Sequence, residues 1–283
     1  MRFLIFSVQG RRGLAYKDQS KWVGLTDDAP DWPGDLDQIV REGSYQAAVE
    51  ALKKGKPIDL DLVTYELPFR RSNKVLCVGL NYVDHASESN VALPDFPTVF
   101  VRFNSNLVSH EAPLVRPKAS AMFDYEGELV AVIGKAGRAI PIESALDHVA
   151  GYTIFNDGSI RDYQLRTNQW TIGKNFDNTG SMGPEFVTSD ELPAGARGLR
   201  LQTRLNGKIL QDANTDLLVF SIADLVSKLS IGMTLEPGDL IVSGTPSGVG
   251  FARDPKILMQ PGDICEVEIE KVGLLRNSVV AEA

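Results

Sequence analysis

The sequence predicts a mainly β protein with peripheral helices, an α+β arrangement in which a rolled or barrel-like β-rich unit follows a small N-terminal domain. From residue 71 onward, segments rich in Val, Ile, Leu and aromatic residues recur between Gly, Pro or Asn residues, as strands do. Helical patterns do not alternate regularly with these segments, which argues against a doubly wound nucleotide-binding fold. With 283 residues, the chain is long enough to bury a core without disulfides.

The first 70 residues are predicted to form the small N-terminal domain. Strand patterns occur at 2–7, 22–25 and 57–68, and helical spacing occurs at 35–40 and 44–55. The stretch between the first two strands is rich in Gly and charged residues and is predicted to be a turn region. No linker rich in Gly, Ser or Pro follows, so we expect residues 71–283 to pack against this domain.

Residues 71–283 are predicted to form the second, larger domain. Its expected strands are 75–80, 97–103, 127–134, 151–157, 199–207, 239–244 and 264–273. Two helices interrupt them, at 142–151 and 221–230. The second helix begins with Ser221 and has Asp224 three residues later, which is typical of a capping box.

The composition excludes several classes of partner. Acidic residues outnumber basic ones by 37 to 29, and no block of Lys and Arg is visible, so a nucleic-acid partner is not expected. No apolar run reaches the roughly 18 residues of a membrane helix, and the first residues lack a signal-peptide core. Cys77 and Cys265 lie in apolar runs, as buried thiols of a reducing compartment do. We therefore expect a soluble, cytoplasmic protein with a small acidic molecule as its partner.

Two segments carry alternating glutamates. In DYEGELVAVIG, Glu126 and Glu128 are two residues apart, and the strand period places both on one face. Since an apolar run follows, the pair either shares a cation or lies on a solvent-facing edge. Glu266, Glu268 and Glu270 alternate in the same way, so the spacing alone does not tell a metal site from a solvated face.

Other polar residues stand where chemistry is possible. Asp157 ends the strand segment GYTIF and either joins a site or begins an Asx turn. His85 and Glu88 are three residues apart, so on a helix Glu88 could orient His85 as a general base; an exposed histidine is the alternative. Lys174 stands among Gly, Trp and Phe, and either points at an anion or lies on the surface.

Five ordered motifs resemble the fumarylacetoacetate hydrolase family. They are GLNYVDHASE, DYEGELVAVIG, GYTIFNDGSIRDYQ, WTIGKNFD and GDLIVSGTPSGVG. The resemblance covers about residues 72–275 and is to the smaller members of the family. It implies the mixed β-roll or barrel of that family for the larger domain, and a homodimer.

The resemblance also implies roles for individual residues. One Mg²⁺ or Mn²⁺ per chain would be bound by Glu126, Glu128 and Asp157. His85 and Glu88 would form a catalytic pair on a lid over residues 84–96, which we expect to be mobile without ligand, and Lys174 would be the third catalytic residue. The substrate would be bound by Tyr82, Arg102, Gln164 and Thr245.

Two segments depart from the family pattern. Where many members have F-L-K-P, this chain has F-V-R-F at residues 100–103, and Asn175 replaces the usual Ser after Lys174. Arginine reaches further than lysine and binds carboxylates in a bidentate manner, so Arg102 is not a neutral replacement.

Three carboxylates without His or Cys ligands suit Mg²⁺ or Mn²⁺ better than Zn²⁺. Such a metal would stabilise the charge on the 2-oxo oxygen of a 2-oxo acid as an enolate forms. We expect a hydrolase that cleaves a C–C bond of a 2,4-dioxo, acylpyruvate-type acid. His85, oriented by Glu88, would activate water, and Lys174 would hold the oxyanion. The alternatives are a decarboxylase or isomerase of a related 2-oxo or 2-hydroxymuconate-type acid in aromatic catabolism, and a non-catalytic binding protein on the same fold.

Overall fold

Strands dominate the secondary structure, as the sequence predicts. The computed structural model describes residues 1–84 and 95–283. The strands are β1 (Arg2–Val8), β2 (Arg11–Asp18), β3 (Lys21–Thr26), β4 (Lys56–Pro57), β5 (Thr64–Tyr65), β6 (Val75–Gly79), β7 (Thr98–Val101), β8 (Leu107–Val108), β9 (Leu114–Arg116), β10 (Phe123–Asp124), β11 (Gly127–Ile133), β12 (Val149–Asn156), β13 (Ser159–Ile160), β14 (Gly180–Thr188), β15 (Arg200–Leu205), β16 (Lys208–Asn214), β17 (Leu240–Val242), β18 (Ile264–Ile269) and β19 (Gly273–Ala281).

Short helices connect the strands. The α-helices within the described residues are Leu36–Glu42, Tyr45–Leu52, Arg161–Gln164, Thr171–Lys174 and Ile222–Gly232. Single 3₁₀ turns are Leu60–Leu62, Asn104–Asn106, Ser189–Glu191, Ala194–Ala196, Thr215–Leu217 and Gly250–Ala252, and a longer 3₁₀ segment is Ile142–His148.

The strands form two large open sheets. In the described residues, a 12-stranded mixed sheet has the order β4-β3-β2-β1-β14-β12-β11-β17-β6-β7, with β5 beside β1 and β8 beside β14. A second sheet has the order β16-β15-β18-β19-β9, and β10 pairs with β13. The rolled β unit predicted from the sequence is thus built from open sheets and not from a closed barrel.

The N-terminal residues join the larger unit through this sheet. Strand β1 pairs antiparallel with β14, and the apolar cluster around Phe3 and Phe186 contains residues from both units. This agrees with the absence of a linker, and the boundary near residue 70 stays a prediction.

Two predictions in the N-terminal residues were wrong. Residues 11–18, predicted to be a turn, form strand β2, because they pair with β1 and β3 on both sides and bury Leu14 and Ala15 completely. The strand predicted over 57–68 is reduced to the two short strands β4 and β5, and the 3₁₀ turn Leu60–Leu62 lies between them.

The two helices predicted in the larger unit differ in outcome. The helix Ile222–Gly232 is confirmed: the Ser221 side chain accepts a hydrogen bond from the Asp224 N–H, and Asp224 caps Ser221 in return. The segment from Ile142 is 3₁₀ instead of α-helical and ends at His148, because the following residues pair as β12.

The register of the central strands brings the acidic segments together. Gly127 of β11 pairs with Asn156 of β12, so the chain positions just outside this pair, Glu126 and Asp157, are adjacent. Their backbones are also bonded, since the Asp157 N–H donates to the Glu126 carbonyl at 2.8 Å. Gly127 faces the second sheet, where a Cβ would lie 2.2 Å from the Thr203 hydroxyl oxygen. Only glycine therefore allows the two sheets to meet beneath the acidic cluster.

Candidate metal centre and active site

Three acidic side chains converge at the centre of the 12-stranded sheet. Glu126, Glu128 and Asp157 are at most 5% exposed, and one carboxylate oxygen of each lies within 4.8 Å of the others. The two glutamates share a face, as the period-two argument predicts, and the end of β12 brings Asp157 to them. Carboxylate oxygens in such a group are the ligands that Mg²⁺ and Mn²⁺ prefer.

Lys174 and Arg102 hold Asp157 from opposite sides. The Lys174 Nζ is 2.6 Å from the Asp157 Oδ2 and 2.6 Å from the Glu126 Oε2. The Arg102 Nη1 donates to the Asp157 Oδ1 at 2.7 Å, and its Nη2 donates to the Thr179 hydroxyl at 3.0 Å. Burial lowers the pKa of Lys174, but the charges of Asp157 and Glu126 outweigh it and raise the pKa overall. Lys174 is therefore an ammonium and a hydrogen-bond donor.

Arg161 is a site residue that the sequence reasoning missed. Its Nη1 lies 2.6 Å from the Glu126 Oε1 and 2.9 Å from the Gln164 Oε1, and its Nε donates to the buried Asp124 at 2.9 Å. The neighbouring Asp162 is not its partner, because that carboxylate accepts a hydrogen bond from the Ser120 hydroxyl at 2.6 Å. The alternation of Asp124 with the two glutamates was a signal that could have found this partner.

Asp124 also fixes one wall of the site. It accepts hydrogen bonds from the backbone N–H groups of Gly250 and Phe251, each at 2.9 Å. This ties the turn Gly250–Ala252 to the guanidinium of Arg161.

Glu128 is the carboxylate whose charge is least compensated. Its Oε2 accepts a 2.5 Å hydrogen bond from the Gly244 N–H, and no basic side chain of residues 1–84 or 95–283 is bonded to it. Burial, followed by the charges of Asp157 and Glu126, raises the pKa of Glu128 well above its usual value.

The charge balance of the cluster favours a bound cation. Among residues 1–84 and 95–283, four buried carboxylates (Asp124, Glu126, Glu128 and Asp157) face three buried basic side chains (Arg102, Arg161 and Lys174). One negative charge is left over, on the least compensated carboxylate, in a place where burying a charge is costly. The donor set therefore fits a divalent cation, with Glu126, Glu128 and Asp157 as its ligands.

A cavity of about 380 Å³ opens onto the cluster. Polar groups on its wall include the predicted residues Gln164 and Thr245, and Thr245 is held in place by the Gln211 amide at 2.8 Å. The apolar wall includes Phe100 and Trp170, whose ring centroids are 5.5 Å apart. One part of the cavity wall is thus acidic, with basic hydrogen-bond donors beside the carboxylates, and another part is aromatic.

Two residues that we expected to bind substrate lie elsewhere. Arg102 is 2% exposed, lies behind Asp157 and is not among the cavity-lining residues, so it supports a carboxylate of the acidic cluster. Tyr82 is 1% exposed and is also absent from the cavity wall, and it forms a β-bridge with Leu218. Tyr82 and Arg102 each lie two positions from a cavity-lining residue, Leu80 and Phe100, so the motif alone could not separate a supporting residue from one that contacts the cavity.

The predicted catalytic pair, His85 and Glu88, lies outside the described residues, as does most of the predicted lid. Of the other histidines, His148 is buried against the Lys135 carbonyl at 2.9 Å, and the His110 Nδ1 accepts from the Arg276 N–H at 3.0 Å. Neither lines the cavity.

The second segment of alternating glutamates, which the spacing alone could not distinguish from the first, presents a solvated face. In β18, Cys265, Val267 and Ile269 are buried, while the Glu268 side chain is 50% exposed and pairs with Arg204 at 2.7 Å. Glu268 therefore serves as a matched control for Glu126 and Glu128.

Known proteins with similar sequences belong to one family. The family model described as fumarylacetoacetate (FAA) hydrolase C-terminal matches residues 74–280. The human protein named mitochondrial oxaloacetate tautomerase FAHD2A is 40% identical over 256 residues, which covers 89% of this chain and 81% of the relative. The rat oxaloacetate tautomerase Fahd2a, also named mitochondrial, is 39% identical over 262 residues, which covers 91% of this chain and 83% of the rat protein.

Two solved structures are similar to this chain over its whole length. The fumarylacetoacetate hydrolase of Exiguobacterium antarcticum superposes with a TM-score of 0.88 at 33% identity and covers 100% of both chains. The maleylpyruvate hydrolase of Sphingobium sp. SYK-6, solved with manganese(II) and pyruvate, superposes with a TM-score of 0.82 at 29% identity, again over 100% of both chains. The motifs, the acidic cluster and these similarities together lead to one conclusion: the chain belongs to the fumarylacetoacetate hydrolase family.

Proposed function

We propose that this protein is a metal-dependent enzyme that enolises a 2-oxo acid, and that its reaction is the keto–enol tautomerisation of oxaloacetate. The observation that carries the proposal is the buried cluster of Glu126, Glu128 and Asp157, with the donors Lys174 and Arg161 beside it on one cavity wall. The 40% identity to a protein named oxaloacetate tautomerase supports the choice of reaction.

The three carboxylates would hold one Mg²⁺ or Mn²⁺. When bound, the cation supplies Lewis-acid stabilisation of the negative charge that develops on the 2-oxo oxygen. The protein's own contribution is electrostatic: Lys174 and Arg161 are fixed by ion pairs before substrate arrives, so they need no reorganisation as charge develops.

The tautomerisation moves one proton. The C3–H proton leaves to a base, the electrons of that bond form the C2=C3 double bond, and the 2-oxo oxygen takes up a proton. Among the donors described in the cavity, Lys174 can transfer a proton to oxygen, whereas arginine stays charged. The family resemblance assigns the base to His85, oriented by Glu88.

The cavity has polar groups for a small acid. Gln164 and Thr245 line it beside Arg161, and its volume of about 380 Å³ exceeds that of a four-carbon diacid. We propose that Gln164 and Thr245 orient the substrate, while Arg102 and Tyr82 act from outside the cavity.

The decisive assay follows the ultraviolet absorbance of enol-oxaloacetate after dilution into buffer with Mg²⁺. Wild-type protein should accelerate the approach to equilibrium, Glu126→Gln should abolish the acceleration, and the control Glu268→Gln should retain it. A wild-type rate equal to that of Mg²⁺ in buffer would contradict the proposal.

Hydrolysis of a 2,4-dioxo acid of the acylpyruvate type is the second candidate. The similarity to maleylpyruvate hydrolase favours it, because pyruvate enolate as a leaving group would use the same stabilising groups. His85 would then activate water for attack on the distal carbonyl. Chromatography distinguishes the candidates: hydrolysis gives two acids, decarboxylation gives CO₂, and tautomerisation leaves the carbon skeleton intact.

We propose a homodimer from the family resemblance, and a cytoplasmic location from the two free, buried thiols of Cys77 and Cys265. Relatives named mitochondrial make the compartment a question for fractionation of the source cells. Within the described residues, no helix has the length and apolar character needed to cross a membrane.

A further inference from the structure

The two departures from the family motifs meet in space. The Asn175 side chain donates through Nδ2 to the Val101 carbonyl at 2.9 Å and to the Thr171 carbonyl at 2.8 Å. Its Oδ1 accepts from the Phe103 N–H at 2.8 Å. The amide therefore bonds the backbone on both sides of Arg102, while Asn175 itself follows Lys174 in the chain.

Of the described residues, Arg102 and Lys174 are the two cations bonded to Asp157. One holds the Oδ1 at 2.7 Å and the other holds the Oδ2 at 2.6 Å. Their backbones belong to segments far apart in sequence, the end of β7 and the helix Thr171–Lys174. In the described part of the chain, the Asn175 amide bonds these two segments to each other beside both cations, and the Asn106 amide donates to Asn175 in turn.

We propose that Asn175 is a positioning residue that sets the spacing of Arg102 and Lys174 around Asp157. Through Lys174 it controls a donor that lines the cavity, and through Asp157 it controls a carboxylate of the metal centre. The catalytic part of this proposal rests on the proposed function, whereas the positioning part does not.

An asparagine at position 175 and a residue with a backbone N–H at position 103 are both needed for these hydrogen bonds. An amide offers two donors and an acceptor on one rigid group, whereas the single short hydroxyl of serine could not reach both backbone segments. Proline at position 103 would have no N–H to donate to the Asn175 Oδ1. The Phe103 backbone and the Asn175 amide thus supply the two halves of one hydrogen bond.

The position also permits a clean test. The Phe103 side chain is 51% exposed and its bond to Asn175 lies at the surface, so removing the amide leaves no large cavity. Asn104 is a matched control, because its Nδ2 donates to the Ser72 carbonyl at 2.8 Å in the same loop without contacting either cation.

The first measurement is a double-mutant cycle on oxaloacetate turnover with Mg²⁺. Asn175→Ala should lower kcat about 10- to 100-fold, because misplacing a group by about 1 Å costs that much, and KM should change far less. The double variant Asn175→Ala/Lys174→Met should lose much less than the product of the two single losses, since part of the effect of the amide passes through the ammonium. Asn104→Ala should keep the wild-type kcat.

The second measurement needs neither metal nor activity. In ¹⁵N-labelled protein, the side-chain signals of Lys174 and Arg102 are assigned from Lys174→Met and Arg102→Gln. Asn175→Ala should shift or broaden both signals, and Asn104→Ala should leave them unchanged. Phe103→Pro removes one of the four hydrogen bonds of the Asn175 side chain and should have an intermediate effect.

The proposal would be overturned if the double variant lost the full product of the two single losses in kcat. Unchanged Lys174 and Arg102 side-chain signals in Asn175→Ala would overturn it as well. A wild-type protein inactive on oxaloacetate would refute the proposed function instead, and the side-chain signals would then decide the positioning role by themselves.

Discussion

Replacing Glu128 by glutamine should stabilise the metal-free protein while abolishing metal binding. Glu128 is only 2% exposed at the cavity wall, carries no bonded basic side chain in the described part of the chain, and accepts one hydrogen bond, from the Gly244 N–H. A glutamine keeps an oxygen for that bond and removes the surplus negative charge of the cluster.

The magnitude follows from the cost of an uncompensated buried charge. Such a charge costs about 3–5 kcal/mol, and a carboxyl group escapes part of that cost by holding its proton. We expect Glu128→Gln to gain about 1–3 kcal/mol without metal, which is roughly 2–10 °C in Tm for a chain of this size.

The raised pKa of Glu128 gives this gain a pH dependence. The folded state holds a proton that the unfolded state releases above its ordinary pKa of 4.5. Stability of the metal-free wild type should therefore fall as pH rises from 4.5 through the raised pKa, and the gain from Glu128→Gln should grow over the same interval.

Thermal unfolding of EDTA-treated and Mn²⁺-loaded samples tests this. Saturating Mn²⁺ should raise the Tm of wild type and of Glu268→Gln, and leave that of Glu128→Gln unchanged. A Glu128→Gln protein that is less stable without metal, or that is still stabilised by Mn²⁺, would refute the charge argument.

Four further predictions follow from the site and its surroundings. Lys174→Met should bind Mn²⁺ at least as tightly as wild type, since an ammonium that bonds two proposed ligands is gone, but should lose about 10²-fold in kcat; calorimetry and initial rates check both. His85→Ala should keep metal and lose about 10²–10⁴ in the rate of any reaction that needs it as base, and an undiminished rate removes it from the mechanism. Burial and the charge of Arg276 lower the pKa of His110 to about 4, so stability should decline by up to about 3 kcal/mol as pH falls from 6.5 towards 4, and His110→Gln should lack that decline in urea titrations. Light scattering should give twice the chain mass, and a monomer at working concentration would exclude the proposed homodimer.

The sequence predicted the strands that are locally apolar and bounded by turns. Strand β2 was not predicted, because charged residues stand at both of its ends and only a short segment at its centre is apolar. Pairing with a neighbouring strand on each side stabilises it. The segment from Ile142 has helical spacing, yet the last residues of the predicted helix pair as part of strand β12. In both places tertiary hydrogen bonds outweigh local preference.

The site was predicted in part. The two glutamates share a face for a reason visible in the sequence, but no local pattern distinguishes them from Glu266 and Glu268, whose exposure depends on the sheet that β18 joins. The family resemblance supplied that distinction. It did not reveal that Arg102 supports Asp157 from behind, because a motif specifies neighbours along the chain and not the direction in which a side chain points.

We propose that Glu126, Glu128 and Asp157 bind one divalent cation. Anomalous diffraction from Mn²⁺-soaked crystals, recorded at the manganese absorption edge, locates such an ion. We expect one strong peak per chain within bonding distance of all three carboxylates, and no such peak in Glu128→Gln crystals. A map with no peak there, or with its peak on the outer face of β18 beside Glu268, would show that these carboxylates do not hold the metal.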